Sequence, residues 1–300
     1  MVTRRTACKL LAVSSAALGI QIAAPGLVEA PRAFAQTTAP SLRSRSVAWV
    51  ARHGLTSSQY QQQFDEHVDA GYRLTYVSGY NQGGQARYAA VWTDVPSTPA
   101  WAARHGLTSA QYQQQLDDLV DQGYRPVVVN GFGIGGTDYY AAIFEKSRAD
   151  AWVARHGLTA AQYQQEFDTR AGQGYRLDHV SGYAVNGQAR YAAIWSERAG
   201  GTFVARHGLT ADQYQDEFDD LTSQGFQPTK VSGYGVSGGA RYAAIFEMVS
   251  PRPAWQARHG LTADQYQMTF DDLSPAGYRP LVVAGYDVGG SPRFAGIWVQ

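Results

Sequence analysis

Cysteine is almost missing from this chain. Its one thiol, Cys8, lies within the first 35 of 300 residues. Beyond that point there can be no disulfide, no catalytic thiol and no cysteine metal ligand, so the fold must be held by its core. Charge of either sign in excess is also missing: 25 basic side chains meet 25 acidic ones. That balance argues against nucleic acid and against polybasic attachment to a membrane. After Leu27 no apolar run is long enough to span a bilayer. Familiar reaction strings are absent too. There is no S-x-x-K, no H-E-x-x-H, no complete phosphate-binding loop and no Asp-x-Asp-x-Asp-Gly calcium loop. No catalytic residue, metal or cofactor is therefore expected.

The first 35 residues read as an export signal. Arg4 and Arg5 open it, Leu10 to Leu27 is mostly apolar, and Ala33-Phe34-Ala35 is a small-x-small cleavage site before Gln36. Thr3-Arg4-Arg5-Thr6-Ala7-Cys8-Lys9 resembles a twin-arginine signal, with an ordinary Sec signal as the alternative. Cleavage removes Arg4, Arg5, Lys9, Arg32 and Glu29 and leaves a net charge of about −3. Residues 36–47, rich in Thr, Ser and Arg, read as a flexible linker. The expected location is outside the cell.

What the chain has in plenty is repetition. A unit of about 51 residues recurs five times, at 48–99, 100–150, 151–201, 202–253 and 254–300. Each copy opens on Trp49, Trp101, Trp152, Phe203 or Trp255 and runs through Ala-Arg-His-Gly-Leu-Thr. Each closes on Tyr-Ala-Ala-Val/Ile-Trp/Phe, or Phe-Ala-Gly-Ile-Trp in the last.

Each unit predicts a helix and then a β-hairpin. Thr56 and Gln59 form a capping box, repeated at Thr108/Gln111, Thr159/Gln162, Thr210/Gln213 and Thr262/Gln265. Leu55 and Tyr60 supply the hydrophobic staple, and Tyr60, Phe64 and Val68 one buried stripe. Gly71 suits the left-handed residue that ends a helix. In the third copy Asn186-Gly187 is a two-residue hairpin turn, which sets Tyr183 opposite Arg190 and Gly182 opposite Tyr191. Val180, Gly182, Tyr191, Ala193 and Trp195 then share one face. Tyr175, Leu177, Ser181, Tyr183, Arg190, Ala192 and Ile194 share the other. Tyr191 is expected to cover the bare backbone of Gly182. A lone hairpin is marginal, so the hairpins must associate. The expected class is α+β, with the hairpins closing into a ring or barrel-like sheet and the helices outside; an open solenoid is the alternative.

Several groups look chemical. His53, His105, His156, His207 and His259 recur before the helix caps and could hold metal or act as bases, but identical placement in every copy fits a structural part better. Asp65, Asp117, Asp168, Asp219 and Asp271 recur near the helix ends, where Arg52 and its equivalents could compensate them. His67 and His179 read as surface or sheet residues. Gly131 to Gly136 fits G-x-G-x-x-G and Gly235 to Gly239 fits G-x-S-x-G, but both fall in hairpin turns, where neither motif works. The candidate binding residues are aromatic/guanidinium pairs near the hairpin tips: Tyr80/Arg87, Tyr183/Arg190, Tyr234/Arg241 and Tyr286/Arg293. The second copy departs, with Phe132 and Tyr139. Cross-strand packing is the other reading of these pairs. The position of Tyr76, Val128, His179, Lys230 and Val282 varies most in chemistry, which suggests partial exposure.

The string W-x-A-R-H-G-L-T-x-x-Q-Y-Q…G-Y-R…V-x-G-Y…R-Y-A-A-I-W resembles the bacterial tandem repeat domain family over all of residues 48–300. In that family the array occurs alone or ahead of a serine hydrolase domain resembling β-lactamases, as in polyglycine hydrolases. The resemblance implies a secreted accessory or recognition module, with a separate hydrolase as one partner. It carries no catalytic residue over, because the hydrolase motif is absent. The leading expectation is a non-enzymatic module binding an extracellular protein or glycan. The alternatives are a hydrolase using the repeated His, Arg and Asp residues, and a purely structural envelope protein.

Overall fold

The computed structural model describes residues 47–95, 99–146, 151–251 and 253–300. The expected signal and nearly all of the linker lie outside these residues.

Each repeat is strand, helix, strand, strand. The first has β1 (Trp49–Leu55), α1 (Ser57–Asp69), β2 (Arg73–Gln82) and β3 (Gln85–Thr93). The second has β4 (Trp101–Thr108), α2 (Ser109–Asp121), β5 (Tyr124–Ile134) and β6 (Thr137–Lys146). The third has β7 (Trp152–Leu158), α3 (Ala160–Gly172), β8 (Arg176–Val185) and β9 (Gln188–Ser196). The fourth has β10 (Phe203–Leu209), α4 (Ala211–Ser223), β11 (Gln227–Val236) and β12 (Gly239–Glu247). The fifth has β13 (Trp255–Leu261), α5 (Ala263–Leu273), β14 (Arg279–Val288) and β15 (Ser291–Val299).

All five capping boxes form, and each helix starts one residue after its threonine. Helix α1 ends as its glycine predicts. Gly71 adopts φ +87°, and the amide of Tyr72 reaches back to the His67 carbonyl at 2.8 Å. The tyrosine four residues into each helix is fully buried.

The opening strand goes beyond the helix and hairpin that the sequence predicts. Trp49 to Arg52 pairs with Thr93 to Ala90, and the register then slips before Leu55 meets Tyr88. Gly54, at φ +73°, absorbs the extra residue as a β-bulge. The sheet order is therefore β1-β3-β2, and every repeat matches it. The five sheets stay separate and antiparallel, so the hairpins do not fuse into one barrel-like sheet.

The hairpin register is as the Asn-Gly turn dictates, with Tyr183 opposite Arg190 and Val180 opposite Ala193. A second bulge at Asp178 changes what precedes it. Leu177 sits opposite Trp195, so it joins Val180 and Tyr191 in one cluster rather than the Ser181 face.

The inner strands β2, β5, β8, β11 and β14 pack side by side, and β14 also packs on β2. Their joints rest on side chains. The Ser181 hydroxyl accepts from the Gly131 amide at 3.1 Å, and Ser232 from Gly182 at 3.1 Å. Asn130 accepts from Gly79 at 2.7 Å, and Ser78 from Gly285 at 2.9 Å.

Candidate functional site

The expected binding pairs separate into two environments. Tyr80, Tyr183, Tyr234 and Tyr286 are only 1–3% exposed. Their rings lie on the glycines of the preceding repeat. A Cβ built on Gly182 would stand 2.3 Å from Tyr234, one on Gly131 2.5 Å from Tyr183, and one on Gly233 2.4 Å from Tyr286. Phe132 covers Gly79 in the same way, and Tyr80 covers Gly285. The expectation that Tyr191 covers Gly182 is therefore corrected: the cover comes from the next repeat. Glycine is required because the approach leaves no room for a side chain.

Tyrosine hydroxyls tie the same joints. Tyr140 meets Tyr183 at 2.5 Å, Tyr191 meets Tyr234 at 2.5 Å, and Tyr242 meets Tyr286 at 2.8 Å. Burial pushes all of these hydroxyls above the usual phenol range. Arg87, Arg190, Arg241 and Arg293 are half-buried and donate to the carbonyl of the residue before them, at 2.9–3.1 Å. The pairs thus exist in register, but they do not present an exposed aromatic face.

The repeated histidines form the outer half of each joint. His156 packs edge-on against Tyr112 and Tyr140 at 4.8 and 5.1 Å. His105, His207 and His259 repeat this against the preceding helix, and His53 does so against Tyr266 at 5.0 Å. Burial lowers every one of their pKa values, that of His156 to about 4. The repeated aspartates find glutamine rather than arginine. Gln61 donates to Asp65 and Gln164 to Asp168, both at 2.8 Å and one helical turn apart. The arginines go elsewhere, as in Arg206 to Glu217 at 2.9 Å. Among the described residues no group of His, Cys, Asp and Glu is arranged to hold a metal ion.

The two glycine strings are hairpin turns, as expected. Gly135 and Gly136 adopt φ +56° and +84°, and Ser237 lies between β11 and β12.

His179 and its equivalents correct the reading of that position as exposed. Tyr76, Val128, His179 and Val282 are all buried, and Lys230 is half-buried. Two of them approach across repeats: the Tyr76 ring, in the first repeat, lies 6.4 Å from that of His179 in the third.

Toward the hairpin tips the inner strands line a half-open cavity of about 260 Å³ to which all five repeats contribute. The buried tyrosines and Phe132 form part of its wall, and Asn81, Asn130 and Asp287 give it polarity. Asp287 Oδ2 accepts from the Gly290 amide at 3.2 Å. Its Oδ1 is buried with no partner, and burial raises its pKa. Sequence reasoning found the tyrosines but not the cavity, because half of the lining residues are glycines, which leave no side-chain signature.

A model of the polyglycine hydrolase-like structural repeat matches the chain five times, at residues 46–95, 98–147, 149–198, 200–248 and 252–300.

Proposed function

Because the chain belongs to the family of the polyglycine hydrolase-like structural repeat, we propose that it is an exported accessory module that recognises an extracellular protein or glycan. The five sheets stand as blades around one axis, with the helices outside. Support for a closed ring comes from the last joint, where Gly285 meets Tyr80 and Ser78, and Trp49 meets Phe270 at 5.6 Å. Closure of this kind protects sheet edges, as in propellers.

The observation that carries recognition is the tip cavity. Its walls are shared by every repeat, and Asp287 in its lining carries an unpaired carboxylate oxygen. A preformed concave site with few polar groups suits one small polar group of a larger ligand, such as a sugar ring or an amine. No described helix is long and apolar enough to cross a membrane. Export by the residues 1–35 signal belongs to the same reading.

The test is a glycan and peptide array probed with the chain from Gln36 onward, in wild type and Ala184→Leu. Ala184 lines the cavity, so the larger side chain fills it. Binding that vanishes in the variant at unchanged melting temperature supports the reading. Equal binding by both would sink it.

A further inference from the structure

The position of Tyr76, Val128, His179, Lys230 and Val282 is the one whose chemistry varies most among the repeats. It carries the only lysine besides Lys9 and Lys146 in the chain. Lys230 lies opposite Ile245 in its hairpin, and His179 lies opposite Ile194 in the preceding repeat. The two therefore occupy the same register position in adjacent inner strands.

Around them is a partly buried charge cluster. Arg176 pairs with Glu247 at 3.1 Å, and Arg198 pairs with Glu247 at 2.7 Å and with Asp178. Lys230 lies within electrostatic reach of Glu247, Asp178 and Arg198. Three cations thus face two carboxylates, and both carboxylates are already bound by guanidinium. The three cations exceed the two carboxylates by one charge, and Lys230 is the cation without an ion-pair partner among the described residues.

His179 lacks something different. Its Nε2 contacts the Val129 carbonyl at 2.9 Å. A carbonyl only accepts, so Nε2 must carry the proton and Nδ1 must be an acceptor. Nδ1 is buried with no partner. The missing partner is a donor.

We propose that the centre of the array, between Lys230 and His179, binds a small hydroxyl-bearing monoanion such as bicarbonate or dihydrogen phosphate. Its charge neutralises Lys230 and its O–H donates to His179 Nδ1. The Tyr76 ring lies 6.4 Å from that of His179. One ligand thereby meets both deficits, which neither chloride nor water does. Burial already pushes the Lys230 amine below its usual range, and a bound anion would move it back.

The test is thermal unfolding in a weakly buffered solution, titrated with sodium bicarbonate or sodium chloride, for wild type and Lys230→Met. Bicarbonate should raise the wild-type midpoint saturably, by about 3 °C when the site is mostly filled. Chloride should not, and Lys230→Met should show neither response. Equal effects of the two salts, or parallel curves for both proteins, would overturn the site. Carbon-13 NMR of labelled bicarbonate gives a readout that needs no variant. Broadening of the free line that saturates at one equivalent is expected. An unbroadened line, or a covalent carbamate signal on lysine, would defeat the proposal.

Discussion

The joints and the centre are built from the same five repeats, yet they follow opposite rules. At the joints every copy supplies the same parts: a histidine against a neighbouring tyrosine, an aromatic over a glycine, and in most copies a hydroxyl on a glycine amide. At the centre the five copies supply Tyr76, Val128, His179, Lys230 and Val282. The difference is one of multiplicity. A joint is made five times in five places, so one good solution serves all of them. In the closed ring proposed above, the centre is a single place that five side chains must share. Five lysines there would repel one another, and five tyrosines would overfill the space. Pseudo-symmetry therefore has to break where the copies converge.

Acid gives the largest expected effect and separates the two regions. The joint histidines and His179 are held neutral, with folded pKa values below the unfolded value of about 6.5. The unfolded chain thus binds more protons, and stability rises with pH. It should be complete above about pH 6.5 and fall as pH drops toward about 4 for His156 and about 3 for His179. His156, which is half-buried, accounts for at most about 3 kcal/mol of this. Urea melts at neutral and acid pH will measure it. In His179→Val, which copies the second and fifth repeats, the loss should shrink but persist. A pH profile that becomes flat in this variant would place all the sensitivity at the centre and break the comparison.

Gly182→Ala probes one joint directly. The added methyl meets the ring of Tyr234 at 2.3 Å, and that ring is held by Tyr191 and by the Gly208 amide. A loss of about 3 kcal/mol is expected in denaturant melts. A cost below the measurement error would mean that the joints yield, contrary to their uniformity.

Smaller effects follow away from both regions. Thr210→Ala removes the acceptor for the Gln213 amide at 3.2 Å and should cost about 1 kcal/mol. Its four equivalents should cost the same, and a wide spread would show that the copies differ more than their geometry suggests. Replacing Arg190 and Arg241 together by alanine should change stability by under about 0.5 kcal/mol each, since their tyrosine partners are fixed by other contacts. A much larger loss would make these arginines part of the joint.

Local chemistry was readable in the sequence, and non-local contact was not. The capping boxes and the Asn-Gly turn act within a few residues, so Thr159 and Asn186 could be placed without any knowledge of the rest. The first strand escaped notice because its bulge at Gly54 breaks the alternation that marks a strand. The bulge at Asp178 moved Leu177 to the other face for the same reason. The cover on Gly182 was assigned to the wrong tyrosine, because Tyr191 is its cross-strand partner and Tyr234 is 52 positions away. His179 looked exposed because it varied among copies. Variation there reflects a shared centre rather than solvent.

The joints also make the position of the chain ends a matter of accident. Successive repeats are connected by only five to seven residues, from the end of β3 to the start of β4 and so on. In the closed ring proposed above, the start of β1 and the end of β15 stand in that same relation, with Trp49 and Gly285 already engaged by their neighbours. A tether of the same length could join Gln300 to Val47, and the chain could be cut between any other two repeats. Every such circular permutant keeps all five joints and the same centre. The order in which ribosomes make the repeats is thus separable from the object they build.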